Sequence, residues 1–495
     1  MGVMRFEVHP AETLKNLPDP FRAFLGGFDG RIFPTRIEIT ENVIICRRNQ
    51  ADSAKLHISW PVRGFGTPVV NTAQLRELEE PYFLPLELAR GKITQLRNQH
   101  SEWDLAGMNI PDAFLEQHRM AHHCFRKAVV ATSDREKCAA LADQALVHAF
   151  SAAEILTKSY IEQRLSVRRQ RANTSPISIG CALGSVAPGP DLVPDFCEAF
   201  DVAIVPVEWR RIEAVEGEYQ WDLNDAQVDW CEANRLRMIG GPLLDLSDGG
   251  IPEWLKTWSN DVLNLQSFVT DFVETAMSRY LGRIRHWEVV ARCNTGGALE
   301  LSEENRLSLV ARVLEAARQV DHETHMSIRV DQPWGDYQSA GQHRLSPLQF
   351  VDALVRSGVG LSGVNLEVAI GYRPDGSASR DLYDFSRMLD RWSCLGIPLK
   401  LTLAFPSQAG TRPNGASRTV NCWKDEHSEA AQAAWVDLYL PLLMAKDPIV
   451  GVYWHRLQDG GPGRYPGCAL WQESGEPKQA LQNVVKCQAF RESSR

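Results

Sequence analysis

From residue 177 onward the chain alternates short apolar runs with amphipathic stretches, eight of each. The runs fall at 177–182, 202–207, 237–243, 287–290, 325–330, 364–368, 399–403 and 450–454. Helix-patterned stretches lie between and after them, at 194–200, 223–234, 266–280, 303–320, 347–356, 382–395, 429–445 and 477–485. Continuous apolar runs suit strands covered on both faces, and strand-helix alternation needs parallel pairing. Eight such units close on themselves, so the pattern predicts an α/β fold, a (β/α)₈ or TIM barrel. Ser346-Pro347 marks one helix start, an N-cap followed by proline at the first helical position. In such a barrel, chemistry sits at the C-terminal ends of the strands.

The first 176 residues have a different character. Arg36-Ile37-Glu38-Ile39-Thr40 alternates polar and apolar, as do parts of 42–47 and 56–62. Residues 1–96 therefore read as a small β-rich, sandwich-like unit, either a carbohydrate-binding module or a structural cap. Residues 97–172 turn Ala-rich and helix-favouring, and the Arg-rich end, with Asn173-Thr174-Ser175-Pro176, reads as a linker into a barrel at 173–495. His118 and His122 have a spacing that zinc can use, but no third ligand is evident. A packed or solvated helix face is the expectation, with no metal and no cofactor.

Composition narrows the partners. Acidic residues outnumber basic ones, 62 to 53, which gives no reason to expect nucleic acid. No apolar run reaches the ~18 residues of a membrane span. Residues 1–10 lack the apolar core of a signal peptide, and the 11 cysteines include no C-x-x-C pair. A cytoplasmic location with reduced thiols is the expectation, and the oligomeric state is left open.

Several short motifs go further. Pro206-Val207-Glu208-Trp209 is followed by Glu216-Gly217-Glu218-Tyr219-Gln220-Trp221-Asp222. Gly240-Gly241-Pro242-Leu243-Leu244 precedes Pro252-Glu253-Trp254-Leu255, and Arg279-Tyr280 precedes Trp287-Glu288-Val289-Val290-Ala291-Arg292. Tyr453-Trp454, Asp459 and Pro477-Lys478-Gln479-Ala480 close the series. Together these pieces resemble the xylanases of glycoside hydrolase family 10 over about 177–490. The resemblance implies a glycan-processing barrel with an oligo- or polysaccharide ligand.

The departures from that family sit where its chemistry belongs. The resemblance aligns the catalytic acid/base glutamate with Arg292, whose guanidinium stays protonated because its pKa lies above ~12. It aligns the nucleophile with Leu403 in Leu401-Thr402-Leu403-Ala404-Phe405, and the sugar-binding histidine of strand three with Gly241. A slipped alignment does not rescue the pair, since neither 289–299 nor 391–424 contains an Asp or Glu. Retaining glycosidases need two carboxyl groups about 5–5.5 Å apart. Classical xylanase activity is therefore not expected, and a pseudoenzyme is one reading.

Polar residues mapping to the mouth are Glu208, Asp245, Arg292, Asn294, Asp331, Trp334, Glu367, Trp454 and His455. Two of Glu208, Asp331 and Glu367 could form a relocated catalytic pair. Alternatively, Glu288 and Glu367 bridge to Arg292 as a structural network, because an unpaired carboxylate inside a barrel is costly. Strand alternation places Glu288, Val290 and Arg292 on one face, with Trp287 outward. Among the 14 tryptophans, Trp209, Trp334 and Trp454 are candidates for stacking on sugar C–H faces. Arg391, Lys400, Arg412, Arg418 and Lys424, with no acid among them, favour an anionic sugar over a neutral one. Three readings stay open: a hydrolase with a displaced pair, a glycan-binding protein without catalysis, and a structural or interaction protein on a glycosidase scaffold.

Overall fold

The computed structural model describes residues 2–17, 22–170, 177–185, 188–341, 343–408, 423–424, 427–461 and 463–492. Eight parallel strands close a barrel: Ser178–Ala182, Val202–Val205, Arg237–Gly240, His286–Ala291, His325–Asp331, Gly363–Ala369, Leu399–Ala404 and Ile449–Trp454. The eighth pairs with the first through Val452 and Ile179. The third meets the fourth at Gly240 and Trp287, where a Cβ on Gly240 would collide with the indole ring. A two-residue strand, Leu244–Asp245, adds to the fourth at its C-terminal end.

Outward-facing Trp287, Ile328, Val330, Leu366, Val368, Leu401 and Leu403 pack on helix residues such as Leu309, Val313, Phe350, Leu354 and Trp435 in one continuous core. Polar side chains set the helix starts. Ser302, Ser346, Asp381 and Ser428 each accept the backbone N–H three residues on, and Ser346 forms a full capping box with Gln349. Each such cap contributes about 1 kcal/mol.

The interior is divided. On one side Val202, Ile204, Ile239 and Tyr453 form an apolar filling. On the other, strands four to seven point Glu288, Arg329, Glu367, Asn365 and Thr402 at one another. Glu288 faces inward and Trp287 outward, as alternation requires. A bulge between Glu288 and Val290 then breaks the pattern. Val290 pairs with outward Ile328 and Ala291 with inward Arg329, so Val290 does not share the face of Glu288. Arg292 reaches the mouth because the chain leaves the strand there with φ of 56°.

The N-terminal unit comprises two four-stranded sheets whose facing residues, including Phe6, Ile44, Leu56 and Ile58, share one core. Helices follow at Leu84–Leu105, Asp112–Val130 and Arg135–Gln170. The helical segment thus begins at Leu84, not at 97. Pro85 fits a first helical turn, and Gly91 lets the helix run close to the Asn71 carbonyl, where a Cβ would clash. The expected linker at 171–176 lies outside the described residues.

This unit rests on the loops that follow barrel strands five to seven. Thr35 N–H donates to the Ser339 carbonyl at 3.1 Å, Val69 N–H to that of Ser379 at 2.9 Å, and Gly66 bridges to Trp423. Lys92, buried on the Leu84–Leu105 helix, pairs with Asp381 of the barrel. His118 and His122 stack edge-on with ring centroids 4.7 Å apart, and no metal-holding group occurs among the described residues.

Candidate functional site

The centre of the mouth is an alternating ladder of charge. Glu288, deepest on strand four, pairs with Arg329 of strand five at 2.6 Å and accepts from Asn365 Nδ2 at 2.6 Å. Arg329 also reaches Glu367 of strand six at 3.3 Å. Glu367 in turn accepts two bonds from Arg292 Nη2, both 2.8 Å, and one from the Tyr465 hydroxyl at 2.5 Å. Arg292 Nη1 completes the ladder by donating to Asp245 at 2.5 Å. A fork of planar donors matches carboxylate geometry, which is why arginine can hold two acids at once.

Electrostatics follow from this pairing. Burial would raise the Glu367 carboxyl, but the Arg292 and Arg329 guanidiniums hold it far below the usual carboxylate range. Asp245 is likewise lowered, with Arg292 outweighing desolvation. Asp331 behaves oppositely: burial and the nearby Glu367 charge push it up to about 6. Thr295 donates to its Oδ1 at 2.7 Å, Arg464 lies 3.7 Å from Oδ2, and Asn294 donates to its carbonyl at 2.9 Å. Burial brings the His455 imidazole down to about 3, and the ring packs edge-on against Tyr465.

Arg292, Asp245 and Glu367 are therefore in direct contact, with Asn294, Asp331 and His455 around them. Glu208 stands apart, half-exposed and 3.7 Å from Arg211. Glu208 and Arg211 line a polar cleft of about 200 Å³ beside the ends of strands one and two, with Gln220, Asp222 and Asn224.

Two aromatic candidates do not offer a face to a ligand. Trp209 is buried, stacked on Phe272 at 4.5 Å, with its indole N–H given to Glu213. Trp454 is buried on the outer side of strand eight and donates to the Cys468 carbonyl. Both follow helix-packing geometry that strand position alone does not reveal. Trp334 is half-buried and lies against Phe385 of the helix layer, lining a groove separate from the mouth.

Leu403 also needs correction. It faces outward, against Trp435 and Leu440, while Thr402 bonds inward to Asn365. The inward places at the end of strand seven are Thr402 and Ala404, neither of them acidic. Sequence reasoning missed Arg329, Tyr465, Arg464 and Arg211. Arg329 was within reach of it, two residues before Asp331 on the same strand face. Tyr465 sits in a loop beyond strand eight and carries no local signal.

Comparison with known proteins adds the following. Endo-1,4-beta-xylanase 3 of Hypocrea jecorina is 29% identical over 126 residues, 25% of this chain and 35% of that protein. The chain thus spans about a third of that relative. An endo-1,4-beta-xylanase of Agaricus bisporus is 22% identical over 222 residues, 43% of this chain and 64% of that protein. Among solved structures, a GH10 protein from Paenibacillus barcinonensis gives a TM-score of 0.49 at 17% identity, covering 66% of this chain and 97% of that one. Xylanase 10B from Thermotoga maritima gives 0.49 at 16%, covering 67% and 98%. The family profile of Glycosyl hydrolase family 10 matches residues 206–486, more than half of the chain, from the end of barrel strand two onward. With the closed eight-stranded barrel, that match places this chain in glycosyl hydrolase family 10.

Proposed function

We propose that this protein binds a glycan at the mouth of its barrel and does not hydrolyse it by the retaining two-carboxylate route. The observation that carries the reading is Arg292, held by Asp245 and Glu367 where strand four delivers its side chain to the mouth. A general acid must give up a proton, and this guanidinium is held more firmly protonated still by its two carboxylates, against the opposing effect of burial. Glu367 makes a poor nucleophile, since Arg292, Arg329 and Tyr465 occupy its oxygens. Asp331 could donate a proton near pH 6, but Glu208, the remaining candidate partner, stands apart in its own cleft.

Binding is supported by that cleft. Its mixture of two carboxylates, a guanidinium and two amides suits a polyol, which needs donors and acceptors together. Arg211 there, with Arg292 and Arg464 nearer the centre, favours an acidic sugar. The loop that first suggested an anionic ligand, including Arg412 and Arg418, lies largely outside the described residues.

The test pairs reducing-sugar release from xylan and xylo-oligosaccharides with binding titrations of neutral and acidic oligosaccharides. Binding without turnover, weakened about tenfold in Arg211→Ala, is the expected result. Robust hydrolysis by the unmodified protein would overturn it, and Glu208→Gln, Asp331→Asn and Glu367→Gln would then locate the acting group. A structural or interaction role is the second reading, favoured by the N-terminal unit resting on the loops after strands five to seven. A folded protein that binds no glycan in these titrations would select it.

A further inference from the structure

A second groove lies outside the barrel mouth, where the N-terminal unit meets the helix layer. It has a volume of about 60 Å³, several times what one water requires. One wall is the Gly27–Gly30 turn between the N-terminal strands Phe24–Gly26 and Ile32–Phe33; the others are Trp334, the start of the Pro347–Arg356 helix, and Asp384, Arg387 and Arg391 of the Leu382–Ser393 helix.

The charge balance here is uneven. Arg391 is exposed and has no carboxylate within ion-pair distance among the described residues. Its guanidinium lies directly over Gly30, in the space a Cβ would fill, so a glycine with φ of 78° gives it that berth. Arg387 is partly engaged, 3.2 Å from Gln99 and 3.6 Å from Glu102. Lys55, on the neighbouring N-terminal strand, is lowered by burial and then by Arg387 and Arg391, which places three cations in mutual range. Against them stand Asp384, already paired with Arg380 at 3.3 Å, Glu102 beside Arg387, and Asp29 of the turn, 3.9 Å from Arg31. Trp334 supplies part of an aromatic wall, and Phe28, at the tip of the same turn, is 85% exposed.

Each group suits a different part of one kind of molecule. A guanidinium with no carboxylate partner among the described residues takes a carboxylate, Asp384 and Gln338 take hydroxyls, and Trp334 takes a C–H face. We propose that this groove is a second ligand site, independent of the mouth, for a sugar carrying a carboxylate, with Arg391 as its anchor. Its occupancy would also clasp the N-terminal unit to the barrel, because Gly30 and Arg391 belong to opposite sides of that junction.

The experiment is a calorimetric titration of the full chain with glucuronate, with glucose as the neutral control and inorganic phosphate as the charge-only control. Glucuronate is expected to bind more tightly than either. Arg391→Gln should raise its Kd about tenfold, the loss of one charge-assisted contact, with Arg391→Lys intermediate. Leu348→Trp, which fills the groove from the opposite wall, should weaken binding without touching a charge. In an Arg211→Ala background, which removes the mouth cleft's contribution, glucuronate should still bind with the same dependence on Arg391. Phosphate binding as well as glucuronate would overturn the assignment to a sugar. Glucuronate binding that survives both Arg391→Gln and Leu348→Trp but falls in Arg211→Ala would overturn the site itself and return the ligand to the mouth.

Discussion

Arg292 Nη2 donates to both carboxylate oxygens of Glu367, each at 2.8 Å, across the space between the ends of strands four and six. With Asp245 on the other amino group, this one side chain bridges two acids in the mouth. A buried pair of this kind contributes little over a hydrophobic replacement of both partners, yet losing one partner is expensive. The ladder is therefore a constraint on which substitutions the mouth tolerates.

Placing a glutamate at 292, where the resemblance aligns the acid/base residue, should fail. Arg292→Glu sets a third carboxylate beside Asp245 and Glu367, with only Arg329 left in contact. We expect a stability loss of about 3–5 kcal/mol in denaturant titrations and no gain in xylan hydrolysis. Arg292→Met should cost a similar amount, since Glu367 again loses its main partner. A stable, active Arg292→Glu protein would contradict the pairing described.

A glutamate at 403 should fare no better. Leu403 is buried against Trp435 and Leu440, so Leu403→Glu places an unpaired carboxylate in the helix-facing core. Leu403→Ala gives the scale, about 2–5 kcal/mol for the lost contacts and cavity. Leu403→Glu should exceed it in urea unfolding and should yield no turnover, alone or with Arg292→Glu. Ala404→Glu, on the inward face, is the informative alternative.

Asp331 should leave a signature in pH titration. Its folded pKa of about 6 is above the unfolded value of ~3.9, so the folded state holds the proton longer. The cost of its charge is absent below about pH 4, grows through about pH 6 and is constant above. Asp331→Asn keeps an acceptor for Thr295 and removes this cost. The variant should gain roughly 1–3 kcal/mol on wild type between pH 4 and pH 7, then hold that margin. A difference independent of pH would show that Asp331 does not titrate there.

His57 acts in the opposite sense. Its imidazole stacks on Phe24 at 4.9 Å, and burial, with Arg380 and Lys55 nearby, brings it down to about 3. The unfolded chain takes up this proton near pH 6.5 while the fold refuses it, so stability drains away as pH falls from about 6.5 towards 3. His57→Phe preserves the stack and should soften acid unfolding by roughly 1–3 kcal/mol at pH 4. Equal acid sensitivity in the two proteins would count against it.

The barrel was legible because parallel strands covered on both faces read as apolar runs, and all eight runs coincide with strands. The ladder was legible in part. Glu288 and Glu367 followed from alternation, and their bridging to arginine from the cost of an unpaired charge, whereas Arg292 reaches the mouth through the bulge and its positive φ. The bulge beside Val289 was not legible, because a one-residue register shift leaves no compositional mark. The outward turn of Trp454 was not legible, since strand eight is apolar on both sides and offers no period to read, whereas the alternation of Leu399, Leu401 and Leu403 with Lys400 and Thr402 does set Leu403 opposite Thr402. Tyr465 joins Glu367 across 98 positions, a contact fixed only by closure of the chain.

The N-terminal unit leans on the loops after strands five, six and seven, and the polar cleft opens beside strands one and two. This gives the mouth a front and a back. Glu208 and Arg211 stand at the front, and the N-terminal unit covers the back. For the glycan binding proposed above, a mouth covered at its back suits chain ends and short molecules better than a long polymer lying across the barrel.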